Sequence, residues 1–318
     1  MGSQALQTGL PPILLIYGPT ASGKSALAVD LAHHFDGEVI NTDSMQVYYG
    51  LPILTAQPGL AEQDGVVHHL YGHLDARCNY SVGRWLDEAL GAIQAVRAKG
   101  KVPILVGGTG LYFEALTRGL AKIPPVGEVA SMQAISVLEN KGIKALRAEV
   151  TRIDPTVAAR ILGNDRQRLL RAYSVYLETG QSLSSFQKDT VPALAPGSWC
   201  AMTLYPEREY LYARIAARFD KMLNLGALEE VRTFAERGLS DTLPVMKALG
   251  LKALMCHING QITLEHAKVE AVRDTRRYAK RQYTWAGGRF SHWPMIKTNE
   301  PAELLSKALC IIENDKPA

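Results

Sequence analysis

A chain of 318 residues, 47% of them hydrophobic, can bury one large core, or a core plus a smaller inserted domain. Its net charge of +4 permits a polyanionic partner without demanding one. No apolar run approaches the roughly 20 residues of a membrane helix, and Cys78, Cys200, Cys256 and Cys310 are spaced too widely for a zinc knuckle or a redox dithiol, which fits reduced thiols in a cytoplasmic protein.

The first residues, "MGSQALQTGLPP", lack the basic start and apolar centre of a signal peptide, and Leu6 stands where a myristoylation signal needs Ser or Thr; an unstructured leader is expected. "ILLIY" (13–17) is an apolar run that stops at a glycine and reads as a buried strand. "KSALAVDLAHHF" (24–35) has apolar residues at helical spacing. "GEVINTD" supplies a second strand, ending at Asp43. A helix is expected from Tyr80-Ser81, and a further strand, 102–106, runs into Gly107-Gly108-Thr109-Gly110. Strands alternating with helices predict an α/β fold with a parallel sheet and helices on both faces. Residues 122–198 change in texture: they are helix-rich, flanked by Pro124-Pro125 and "VPALAPGS", and read as a helical insert. The chain then returns to the sheet with "WCAMTLY" (199–205), so the core is discontinuous, 1–121 and 199–318. More helices follow, including a basic one near 264–285, and the tail "ENDKPA" is expected to fray.

Between the first strand and helix stands Gly18-Pro19-Thr20-Ala21-Ser22-Gly23-Lys24-Ser25, the complete G-x-x-x-x-G-K-S pattern of a P-loop. Its glycines let backbone N–H groups converge on phosphate oxygens, and the helix adds its positive end. Lys24 supplies a mobile charge, and the Ser25 hydroxyl can hold Mg2+. The loop names a ligand class, not a reaction. No guanine-reading Asn-Lys-x-Asp element is present, since Asn140-Lys141 is followed by Gly142-Ile143, and the strand at 102–106 ends in glycines instead of a magnesium-supporting Asp. The acidic residue at a strand end is Asp43, which a doubly wound sheet directs to the ligand crevice. His69 and His73 have i, i+4 spacing, but Gly72 intervenes and no third zinc ligand is evident.

In this order, "GPTASGKS" (18–25), "DSMQVYYGLPILTAQP" (43–58), "LVGGTGLYFEAL" (105–116), "DPTVAARILGNDRQRLLRAYSVYLETG" (154–180), "LYARIAARFDKML" (211–223) and "TRRYAKRQYTW" (275–285) resemble the tRNA dimethylallyltransferases, also called tRNA isopentenyltransferases. The resemblance implies a P-loop NTPase-like core and transfer of a dimethylallyl group from dimethylallyl diphosphate to N6 of adenosine 37 in tRNA, with diphosphate leaving. The loop would then hold a prenyl diphosphate. The D-D-x-x-D cluster of many prenyl-transferring enzymes is absent, so the P-loop is left to grip the diphosphate. A small-molecule phosphotransferase using ATP, prenyl transfer to free AMP, and a non-catalytic RNA-binding module are the competing readings.

Under the resemblance, Lys24, the loop amides, Ser25 through Mg2+ and Arg214 oppose the charge developing on the leaving diphosphate. Arg218, four residues on, shares the helical face of Arg214. Asp43 takes the proton of the adenine amine, and Thr109 hydrogen-bonds donor oxygens. Ser44, Tyr48, Thr55 and Gln57 lie in the segment implied to surround the target base. Arg273, Arg276, Arg277, Lys280 and Arg281 form one helical stripe suited to RNA phosphates, with Gln282 beside them. Arg166, Arg168 and Arg171 are carried by the insert, implied to clasp the anticodon stem-loop. The chain departs from the family pattern at Leu251, at Ala286-Gly287-Gly288 and after the proline hinge at "VGEVASM". A monomer is the default expectation.

Overall fold

The computed structural model describes residues 12–188 and 190–314; the expectations for the leader and for the last residues of the tail fall outside them. The elements run β1 (Ile13–Tyr17), α1 (Lys24–Phe35), β2 (Gly37–Asn41), α2 (Leu60–Gln63), β3 (His68–His69), α3 (Val82–Ala98), β4 (Val102–Gly107) and α4 (Gly110–Arg118). Helices α5 (Glu128–Ile153), α6 (Pro155–Arg160), α7 (Arg166–Thr179) and α8 (Leu183–Phe186) follow. The chain closes with β5 (Trp199–Leu204), α9 (Arg208–Asn224), α10 (Ala227–Ala235), a 3-10 turn at Pro244–Lys247, α11 (Leu251–Ile258), α12 (Leu264–Gly288), β6 (Met295–Ile296) and α13 (Ala302–Asn314).

The strands form a six-stranded sheet of order β3-β2-β4-β1-β5-β6, every pairing parallel. The alternation of side chains sorts the core by face. Leu14, Ile16, Val39, Ile104, Val106, Met202 and Leu204 meet α1 and α13 on one side. Leu15, Tyr17, Ile40, Leu105 and Ala201 meet α3 and α4 on the other, where Trp85 and Tyr112 stack with ring centroids 3.9 Å apart. Both faces being covered explains why the strands read as continuous apolar runs. Helices α9 to α12 pack with residues 47–54 into a separate apolar cluster. Leu251 and Ala286, two of the departures from the family pattern, are fully buried core residues.

The chain divides into two compact units. The first comprises the residues up to Thr117 and from Leu194 on; the second is Arg118–Ala193. The second is helical with its own core, including Leu146, Val150, Val157, Leu169 and Val175. Its helix α5 is interrupted at Gly142, whose φ of 78° suits glycine. Asp154 ties it together, accepting from Val157 N at 3.0 Å and Ser184 N at 2.8 Å. Among the described residues, no helix is long and apolar enough to cross a membrane.

Candidate active site

Parallel register brings the ends of β1, β2 and β4 to one edge. Tyr17 pairs with Gly107 and Asn41 with Val106. The backbone ladder continues past the strands: Thr42 N donates to Val106 O at 2.9 Å, and Thr109 N donates to Thr42 O at 3.2 Å. The phosphate loop, Asp43 and Thr109 therefore converge from three separate segments.

The loop itself turns through Ala21 and Gly23, with φ of 65° and 93°. A left-handed alanine costs about 1 kcal/mol, and the hydrogen bond from Ser22 N to Pro19 O at 3.2 Å helps hold the turn. Lys24 Nζ donates to Pro19 O at 3.1 Å, curling back over the loop. Burial pushes its ammonium down to about 8; Asp43 opposes that fall and Arg218 adds to it.

Asp43 lies two residues beyond β2 and is fixed by its neighbours. Its N–H donates to Asn41 Oδ1 at 2.8 Å, its carbonyl accepts from Asn41 Nδ2 at 3.0 Å, and its Oδ1 accepts from Met45 N at 2.9 Å. Thr109 Oγ1 accepts from Ser44 N at 3.0 Å and also bonds the Tyr278 hydroxyl. Burial, reinforced by Asp43, raises the Tyr278 phenol, so it stays neutral.

Of the two arginines on α9, Arg218 is the one at the loop: its Nη2 donates to Thr20 Oγ1. Burial pulls its guanidinium down to about 10, with Asp43 opposing the shift, so it remains a cation at neutral pH. Arg214 lies one turn away, donates to the Tyr210 hydroxyl at 2.9 Å and stacks over that ring. Of the two, Arg218 touches the loop, while Arg214, favoured from the sequence, is turned to Tyr210.

A cavity of about 250 Å³ opens beside these groups. That is below the ~300–1,000 Å³ of drug-sized sites and suits a small ligand. One part of its wall is polar: Thr20, Asp43, Ser44, Thr55, Arg218, Lys247, Tyr278 and Arg281. The other is apolar: Met45, Leu54, Ile215, Phe219, Met222 and Leu249. Glu230 shapes this wall by accepting from Ile53 N at 2.7 Å and Leu54 N at 2.8 Å, and Gln46 Nε2 donates to Thr55 O and Ala56 O.

Several residues expected around the base or RNA are placed otherwise. Tyr48 is 1% exposed and donates its hydroxyl to Cys78 O at 3.3 Å, so it is a core residue. Gln282 is 2% exposed, and its amide is spent on Thr20 and Gly108; it has no surface to offer RNA. Gln57 donates to Tyr48 O at 2.7 Å and is absent from the cavity wall. Thr55 lines the cavity, although its hydroxyl donates to Leu51 O.

On α12, Arg273, Arg276, Arg277, Lys280 and Arg281 are exposed. Arg273 and Arg277 pair with acidic neighbours, both reaching Asp274. Arg276 stacks over Tyr212 and Arg281 over Tyr278. In the helical unit Arg166, Arg168 and Arg171 are exposed, with Arg168 paired to Asp165. His69 and His73 diverge to different carboxylates, Glu38 at 2.7 Å and Glu88 at 2.9 Å. Tyr278 and Lys247 were assigned no role from the sequence. Tyr278 lies in a family-like stretch, three residues from Arg281. Lys247 carries no local signal and reaches the cavity only through the fold.

The family model described as IPP transferase matches residues 46–289, and a model described as isopentenyl transferase matches 11–71. The tRNA dimethylallyltransferase of Maricaulis maris is 49% identical over 96% of this chain and 99% of its own length. That of a Bradyrhizobium species is 52% identical over 87% of this chain and 91% of its own. Among solved structures, the tRNA isopentenylpyrophosphate transferase of Bacillus halodurans aligns with a TM-score of 0.68 at 32% identity, covering 96% of this chain and 98% of that one. A eukaryotic dimethylallyltransferase solved acting on tRNA aligns with a TM-score of 0.80 at 29% identity, covering 95% of this chain and 78% of the other. The sheet is accordingly that of the P-loop NTPase-like fold, and the chain belongs to the tRNA dimethylallyltransferase family of prenyltransferases.

Proposed function

We propose that the protein transfers a dimethylallyl group from dimethylallyl diphosphate to N6 of adenosine 37 in tRNA and releases diphosphate. The observation that carries this reading is the composition of the cavity: Thr20 of the phosphate loop, the Arg218 bonded to it and the Asp43 carboxylate line one recess together with apolar side chains. The apolar wall is small enough for a five-carbon group, and a passive RNA-binding module would need neither the loop nor its lysine.

In this reading the diphosphate lies against the loop amides, Lys24 and Arg218, and the five-carbon group lies on the apolar wall. As the allylic C–O bond breaks, its electron pair goes to the diphosphate, where these donors oppose the developing charge. The adenine N6 forms the new bond to the allylic carbon, and its proton passes to the Asp43 carboxylate. Tyr278 adds its hydroxyl to the polar wall, and Thr109 holds Tyr278 and Ser44 from behind. The base leaves the anticodon loop stack to enter, at a cost of a few kcal/mol. Arg277, Lys280 and Arg281 then hold RNA phosphates, and Arg166 and Arg168 of the helical unit add contacts to the stem-loop.

Magnesium fits this site as an ion shared with the donor. The described residues contain no His, Cys, Asp or Glu cluster able to hold a metal alone, while Ser25 is exposed at the first turn of α1. The Ser25 hydroxyl would help hold the ion, which would supply charge neutralisation on the leaving group.

The test is incubation with magnesium, labelled dimethylallyl diphosphate and unmodified tRNA, followed by nucleoside analysis. Label on adenosine 37 is expected. Phosphate release from ATP without RNA modification would contradict the reading.

A further inference from the structure

Gln282 sits among basic residues on α12 yet contributes nothing to their exposed face. Its Oε1 accepts from Thr20 N at 2.9 Å, its Nε2 donates to Gly108 O at 3.0 Å, and its carbonyl accepts from the Tyr17 hydroxyl at 3.0 Å. The orientation of the amide is forced, because Thr20 N–H can only donate and Gly108 C=O can only accept. A Cβ at residue 108 would stand 1.9 Å from Gln282 Nε2, so the glycine is what lets the amide reach the strand end. One side chain therefore joins the phosphate loop, the turn after β4 and α12. Beyond Thr20 the contact continues, since the Thr20 hydroxyl accepts from Arg218 Nη2.

We propose that Gln282 is a positioning residue of the diphosphate site, acting on Arg218 through Thr20. By fixing the Thr20 backbone it fixes the hydroxyl that orients the guanidinium, and the glutamine amide supplies both the acceptor and the donor that this bridge needs. The same helix carries Tyr278 and Arg281 into the cavity wall, so the face of α12 offered to RNA and the lock on the phosphate loop belong to one rigid element. The proposal rests on the reading that the loop binds a diphosphate.

The test is a double-mutant cycle between Gln282→Met and Arg218→Gln, read by calorimetric binding of magnesium pyrophosphate and, separately, of tRNA. Gln282→Met alone is expected to weaken pyrophosphate about tenfold, as the loss of its hydrogen bonds would, with tRNA affinity held within about twofold. In the Arg218→Gln background the same change is expected to have less than about a twofold further effect, which a general loss of packing would not produce. Thr20→Val, which removes the relaying hydroxyl, should reproduce the Gln282→Met phenotype and should likewise add nothing to Arg218→Gln. Equal losses in both backgrounds, or weakened tRNA with pyrophosphate unaffected, would overturn the proposal. Gln282→Asn repeats the cycle if the methionine variant does not fold. Because pyrophosphate binding is read without prenyl transfer, a wild-type protein that binds pyrophosphate but modifies no RNA would sink the functional reading and leave the cycle interpretable.

Discussion

Lys24 offers the sharpest prediction, because its charge is both needed by the ligand and opposed by the fold. Burial lowers it to about 8. Its folded value thus lies below its unfolded one, and the ammonium weakens the fold fully below pH 8. That cost lifts as pH rises toward the unfolded value near 10.4. Diphosphate binding favours the ammonium and so takes up a proton. From this midpoint about nine in ten free molecules carry the charge at pH 7, and about one in eleven at pH 9. Affinity for magnesium pyrophosphate should therefore fall about tenfold between those pH values, relative to a Lys24→Arg variant whose guanidinium stays charged throughout. At pH 8 about half a proton should be taken up per pyrophosphate, measured as the dependence of calorimetric heat on buffer ionisation enthalpy. A ratio of wild-type to Lys24→Arg affinity that stays constant with pH, with no proton uptake, would refute the reasoning. The same cost predicts that Lys24→Met raises thermal stability without ligand at pH 7, by up to about 3 kcal/mol, although it cannot grip a diphosphate.

Further outcomes follow from the site. Asp43→Asn keeps the shape and removes the base; turnover should fall by about 10²–10⁴-fold while tRNA binding, measured by filter retention, stays near wild type. Arg218→Gln should weaken pyrophosphate at least about tenfold more than Arg214→Gln, as expected of a charged hydrogen-bonding group at the ligand; equal effects would return Arg214 to the diphosphate. Gly107→Ala would set a Cβ 2.4 Å from the Thr42 carbonyl carbon and oxygen. Backbone cannot yield as a side chain does, so a loss of about 2–3 kcal/mol is expected in denaturant titration.

Local patterns announced the phosphate site. The P-loop, the strand before it and the helix after it are contiguous in sequence, and Asp43 and Gly107 to Thr109 mark the ends of neighbouring strands, which parallel register must bring to the same edge. What the sequence hid depends on helical phase and long-range packing. Arg214 and Arg218 share a face of α9, so spacing alone could not say which turn meets Thr20. Gln282 looked like an RNA contact because Lys280 and Arg281 precede it. Its phase says otherwise, since it falls in line with the buried Ala271, Thr275, Ala279 and Ala286, a stripe of small residues on the inward side of the helix. Tyr48 carries an aromatic ring into the helical core, where packing decides its place. Lys247 sits on a 3-10 turn far along the chain from the loop, and nothing in its neighbourhood forecasts the cavity.

The central claim is that the P-loop holds a prenyl diphosphate. Its most direct test is the crystallographic position of dimethylallyl S-thiolodiphosphate, an unreactive donor analogue, bound with magnesium. The account places both phosphates against residues 18–25 and Arg218, with the five carbons on Met45, Leu54, Phe219 and Met222. A diphosphate bound elsewhere, with the loop left empty, would contradict it.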